Sequence, residues 1–146
     1  MGIKFFKVFK YKILLTGLTL ILAWGLAQTT YAQTPRGLFV DDFKYIIGDS
    51  SKEDSLLNYA NSRGITYLTI YNLHYIHTHL FDITDSLESL PLSNFIAKAK
   101  GDYGIIEVGA AGEKSSSFDK VIAYNNNQLS QTTKFDVLYM EFEFWN

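Results

Sequence analysis

The 146-residue chain contains no cysteine. Disulfide staples, thiolate chemistry and a lipid-modified N-terminal cysteine are thereby excluded, and an apolar core must hold the protein together. Basic residues are few, 13 Lys and Arg against 15 Asp and Glu. A chain of that balance offers no basic surface to a phosphate backbone, so no nucleic-acid partner is expected. No Arg-Arg pair marks the twin-arginine export route. No apolar run reaches the roughly 20 residues that a membrane-spanning helix needs.

An export signal is what the N-terminus does carry. Lys4, Lys7, Lys10 and Lys12 form a positive segment without an acidic residue, and Ile13 to Ala27 follows as an apolar run broken only by Thr16, Gly17, Thr19 and Gly25. Thr30 and Ala32 then place small residues at −3 and −1 of a cut after Ala32. This order predicts a cleavable Sec-type signal peptide over residues 1–32, with an uncleaved anchor as the alternative. The product, 33–146, is expected outside the cytoplasm (periplasmic, extracellular or at the cell surface) and free of the membrane. Removing the four lysines leaves 9 cations against 15 anions, a net charge of −6. Its 114 residues suit one domain, and the chain's 10 tyrosines and 11 phenylalanines supply both a core and aromatic surface.

Strand-like and helix-like segments alternate along this domain. Gly37 to Asp41 is a short apolar run ending in Asp41 and Asp42. Ser50-Ser-Lys-Glu53 has capping-box spacing and opens a helix through Leu56, Leu57 and Ala60 that Gly64 closes. Ile65 to Ile76 is dense in β-branched and aromatic residues and predicts the second strand. Pro91 suits a first helical turn, with Leu92, Phe95, Ile96 and Ala99 as the buried stripe and Gly101 at the end. Tyr103 to Gly109 predicts the third strand, turning through Gly109-Ala-Ala-Gly112. A third helix starts near Ser116 or Ser117 with Phe118, Val121, Ile122 and Leu129 inward, and Phe135 to Trp145 is the fourth strand. This alternation is the grammar of parallel α/β structure.

The fourth strand sorts its side chains by face. Tyr139, Glu141, Glu143 and Trp145 share one; Leu138, Met140, Phe142 and Phe144 share the other. In a (β/α) barrel the polar set points inward, and two carboxylates near a strand's C-terminal end occupy the place where such folds put catalysis. A carboxyl beside another carboxyl stays protonated toward neutral pH, as a general acid must. The bland alternative is an edge strand whose Tyr/Glu/Glu face is simply wet.

The frame Asp136-Val-Leu-Tyr139-Met-Glu141-Phe-Glu143 resembles the Asp-x-x-Asp-x-Asp-x-Glu motif on the fourth strand of family 18 glycoside hydrolases, the chitinase-like (β/α)8 barrels. Ile105 to Gly112 is similar to that family's third strand and its small-residue turn. The resemblance implies that Glu143 is the proton donor, with Glu141 beside it. Tyr139 and Glu141 depart from the family's aspartates, and the residue two before the donor is the one that holds the acetamido group in substrate-assisted hydrolysis. A full barrel takes about 250 residues, so four units imply roughly half of a TIM-type barrel. That half is expected to be truncated or completed by another chain, unless the four units form a small open sheet instead.

His74, His77 and His79 follow the second strand as His-x-x-His-x-His, near Asp82. On an extended segment His-x-His puts two imidazoles on one side, a geometry that zinc uses. Polar loop chemistry at a strand end is the commoner meaning, and no metal and no cofactor are expected. His74 is a better candidate for substrate contact. Asp41 belongs to the same rim, as does Glu113. The expectation is therefore an exported α/β protein directed at carbohydrate. Glu143 and Glu141 are its candidate catalytic residues, and Tyr139, Trp145, Asp41 and His74 its candidate substrate contacts. The alternatives are a non-catalytic carbohydrate-binding or adhesion module, and a metal-dependent hydrolase using His74, His77 and His79. Exposed strand edges predict self-association.

Overall fold

The computed structural model describes residues 34–140, so the predicted signal segment and Glu141, Glu143 and Trp145 lie outside the described residues. Among the described residues there are four strands and four helices: β1 (Gly37–Val40), α1 (Ser50–Ser62), β2 (Tyr67–Ile70), α2 (Leu73–His79), α3 (Leu90–Asp102), β3 (Glu107–Gly112), α4 (Ser115–Asn127) and β4 (Val137–Met140). Short 3-10 turns occupy Phe43–Tyr45 and Gln131–Thr133. The strands form one sheet in the order β1-β2-β3-β4, every neighbouring pair parallel. The α/β class expected from the alternation is therefore present. Among the described residues no helix is long and apolar enough to cross a membrane.

Local chemistry explains most of the boundaries. Asp49, not Ser50, caps α1: its carboxylate accepts from the amides of Ser51 and Lys52 at 3.1 and 3.2 Å. The cap thus sits one residue earlier than the spacing predicts, and Glu53 reaches back past it to accept from the Gly48 amide at 2.8 Å. Gly64, at φ 63, follows the helix in the left-handed region, where a missing Cβ removes the penalty. Pro91 falls in the first turn of α3, where its absent N–H costs nothing, and Leu92, Phe95, Ile96 and Ala99 are fully buried as the stripe requires.

Several expectations are corrected. The apolar run 65–76 is not one strand: β2 stops at Ile70, and Leu73–His79 is helical. Asn72 makes the break, taking the left-handed conformation at φ 65, ψ 21. Leu73 and Ile76, three apart, then bury one helical face. The third strand begins at Glu107, and Gly109-Ala-Ala-Gly112 is part of it rather than a turn. On α4, Val121 and Tyr124 are buried, whereas Ile122 is exposed and Leu129, beyond the helix, is fully so.

Pairing register divides the sheet into two faces. Leu38, Leu68 and Val108 align in one row, and Val40, Ile70, Ala110 and Leu138 in another on the same face. All of these but Leu138 join Leu57, Phe95, Ile96 and Val121 from the helices in one core, in which Phe43 meets Phe95 at a ring separation of 4.7 Å. Burying each such side chain contributes about 1.5–3 kcal/mol. Leu138 and Met140 remain exposed on the outer strand β4. The opposite face carries Tyr67 beside Glu107, then Phe39, Thr69, Gly109 and Val137 in one row, then Ala111 beside Tyr139.

Candidate functional site

Asp136, the first residue of the acidic frame, is a structural clamp. Its backbone N–H donates to the Val108 carbonyl, and its carboxylate accepts from the Val108 N–H, both at 2.8 Å. Lys100, reaching from α3, binds the same carboxylate at 2.8 and 2.9 Å and also donates to the Lys134 carbonyl at 2.7 Å. Asn125 pairs with both backbone groups of Phe135, and the buried Tyr124 hydroxyl donates to the Thr133 carbonyl at 2.6 Å. Burial pushes the Tyr124 phenol far above its ordinary range. These contacts fix where β4 starts, and with it the face on which Tyr139 projects.

Tyr139 lies flat on the open face. Its ring covers Gly109, where an added Cβ would collide with the ring edge. Its hydroxyl donates to Glu107 Oε1 at 2.8 Å. Glu107 begins β3 and Ala111 is the register partner of Tyr139, so the side chain runs back toward the N-terminal ends of the strands. The Glu107 hydrogen bond, and then partial desolvation, hold the Tyr139 phenol above its usual value.

The C-terminal ends of β2 and β3 open into a cleft of about 420 Å³. Tyr71, Asn72, His74 and His79 line one wall; Glu113, Ser116 and Ser117 line the other. Tyr71 follows β2, Glu113 follows β3, and the Tyr71 hydroxyl donates to the Glu113 carboxylate. Asn72 Nδ2 donates to the Asp41 carbonyl at 2.6 Å, tying the end of β1 to the same rim. Openings at the C-terminal ends of parallel strands are where α/β proteins place ligands, because the loops there vary while the sheet holds them rigidly. A second cleft, of about 460 Å³, lies at the opposite strand ends between Arg36, Tyr59 and Arg63. There Arg36 donates to the Arg63 carbonyl at 3.0 Å, closing the end of α1.

Of the predicted site residues, His74 lines the C-terminal cleft, together with the acidic residue Glu113 expected on that rim. Asp41 is not in the cleft lining; its backbone carbonyl accepts from the Asn72 amide. Tyr139 is absent from the cleft lining, and Glu141, Glu143 and Trp145 fall outside the described residues. The histidines do not share an extended side: they ride α2, where His77 and His79 point roughly 200° apart. His79 stacks on Tyr75 at 4.3 Å, and His77 Nδ1 lies 3.0 Å from Asp82. Among the described residues no three His, Cys, Asp or Glu side chains are placed to hold a metal.

Tyr71, Asn72, Ser116 and Ser117 are cleft residues that the motif reading passed over. Asn72 had a signal, since asparagine directly after a strand is a favoured left-handed residue. Tyr71 had none apart from ending the strand. No protein-family model, no curated protein and no solved structure matches this chain.

Proposed function

We propose that this chain forms the first four units of an exported, glycan-directed (β/α) barrel protein whose site lies on the open sheet face and its C-terminal rim. The supporting observation is the strand order. Four parallel strands in sequence order, with helix side chains buried on one face and tyrosines and glutamates left on the other, have the arrangement of one side of a barrel. In a doubly wound sheet the order would reverse at a switch point. In this reading Glu143, which shares the sequence alternation of Tyr139, acts as general acid. Glu141 is its companion carboxylate and Trp145 the aromatic residue that stacks on the sugar, while His74 and the Asp41 end of β1 meet the ligand at the rim.

Binding without turnover is the second reading, and Tyr139 favours it. It stands where the resembled frame has an aspartate, and its hydroxyl is committed to Glu107. Hydrolysis and binding of chromogenic N-acetylglucosamine oligomers by the longest natural form of the protein separate the two. With Glu143 as acid, Glu143→Gln lowers the rate by about 10²- to 10⁴-fold and leaves binding intact. Hydrolysis that is indifferent to Glu143→Gln rejects the assignment. Saturable binding with no turnover by the wild type selects the non-catalytic reading.

A further inference from the structure

We infer that Glu113, held by Tyr71, is the hydrogen-bond acceptor of a subsite for a neutral, hydroxyl-rich ring, a sugar without acidic substituents. The inference rests on the glycan-directed reading and adds to it a residue and a charge preference. Glu113 is exposed at the rim, where Tyr71 donates to its Oε1. A carboxylate accepts at two oxygens with several lone pairs, so one phenol leaves capacity for a ligand. Sugar hydroxyls are donors, and hydrogen bonds to an ionised acceptor are about twice as strong as neutral ones.

The rim around this pair is fixed. Asn72, next to Tyr71, holds a left-handed conformation and is fastened to the Asp41 carbonyl. A backbone state of that cost persists where the surroundings over-determine it, as they do at binding sites. Across the cleft Ser116 and Ser117 present hydroxyls from the start of α4, and Lys114 offsets the single carboxylate. The lining thus sets these polar groups among apolar surface, while the carboxylate at the rim repels an anionic ligand. The volume of about 420 Å³ falls within the range of small-molecule sites.

Calorimetric titration of the purified protein with N,N′-diacetylchitobiose as neutral probe and glucuronate as anionic probe tests this. The wild type should bind the neutral probe and discriminate against the anion. Glu113→Gln should weaken the neutral probe about tenfold or more, the loss of one charge-assisted hydrogen bond, and should narrow the gap to glucuronate. Tyr71→Phe should cost less, since the carboxylate remains but loses its positioning partner. Glu113→Asp, which keeps the charge and withdraws it, should weaken binding without closing that gap. Circular dichroism should be unchanged throughout, because Glu113 is exposed. If the wild type binds diacetylchitobiose and both Glu113 variants match it, the subsite is refuted while the glycan-directed reading stands. Equal wild-type affinity for glucuronate refutes the charge preference. No saturable binding of either probe removes both.

Discussion

A Cβ at Gly109 would meet the Tyr139 ring, with Cδ2 at 2.8 Å, so the flat tyrosine depends on this residue having no side chain. The ring is the far end of a flexible side chain and can swing away. Alanine also removes the entropic penalty of glycine in a strand, about 0.5–1 kcal/mol. Gly109→Ala should therefore leave the melting temperature within a few degrees and move the tyrosine instead. The readout is its ionisation. The Tyr139 phenol titrates above its ordinary value first because it donates to Glu107, a bond that only the protonated form makes. A folded-state value raised above the unfolded one contributes stability that is complete below the unfolded value. That contribution is lost as pH rises through the folded value. Carbon-13 tyrosine spectra, with Tyr139→Phe to assign the resonance, should show Gly109→Ala and Glu107→Gln both bringing this titration down toward the usual range. An unmoved titration in both variants rejects Glu107 as the cause.

At the scale of elements, the junction of β2 and α2 carries the largest departure from the sequence reading. Asn72 stores a left-handed backbone there and offsets it with the hydrogen bond to Asp41. Asn72→Ala loses the bond and keeps an unfavourable φ, and should destabilise by about 2 kcal/mol in urea unfolding. Asn72→Gly loses the same bond but relaxes the backbone, and should cost about 1 kcal/mol or less. Equal losses would show that backbone strain contributes nothing at this junction. The break was hard to see because Tyr67, Thr69, Tyr71, Tyr75 and Ile76 all favour strands, and tertiary burial of Leu73 and Ile76 overrides that preference. A twelve-residue strand would already exceed the usual length. Helix α3 was legible because proline in its first turn and a buried stripe at helical spacing agree. The tail of α4 was not, because Ile122 and Leu129 fit the helical period yet have no neighbouring element to cover them among the described residues.

At the scale of the molecule, the parallel α/β class follows from the alternation of elements, whereas the cleft does not follow from any local pattern. Tyr71 and Glu113 are 42 positions apart and meet because β2 and β3 pair in parallel, Ile70 opposite Ala110, so that the segments after both strands leave at the same edge of the sheet. The same topology leaves β1 and β4 as outer strands, each with one unpaired side among the described residues. It also leaves Phe39, 51% exposed on β1, on the face that no helix among the described residues covers. Unpaired strand edges beside an aromatic face recruit other strands. The segment 33–146 expressed alone should therefore self-associate at micromolar concentration. Its net charge of −6 opposes unspecific clumping, so sedimentation velocity should resolve a discrete oligomer that strengthens as salt screens the repulsion. Phe39→Lys places a charge on that face without opening the core, and should shift the equilibrium toward monomer while unfolding stays cooperative. A wild-type monomer with a single cooperative transition across the same concentrations would refute the half-barrel reading and favour a self-sufficient open sheet. Oligomers indifferent to Phe39→Lys would place the contact elsewhere than on this face.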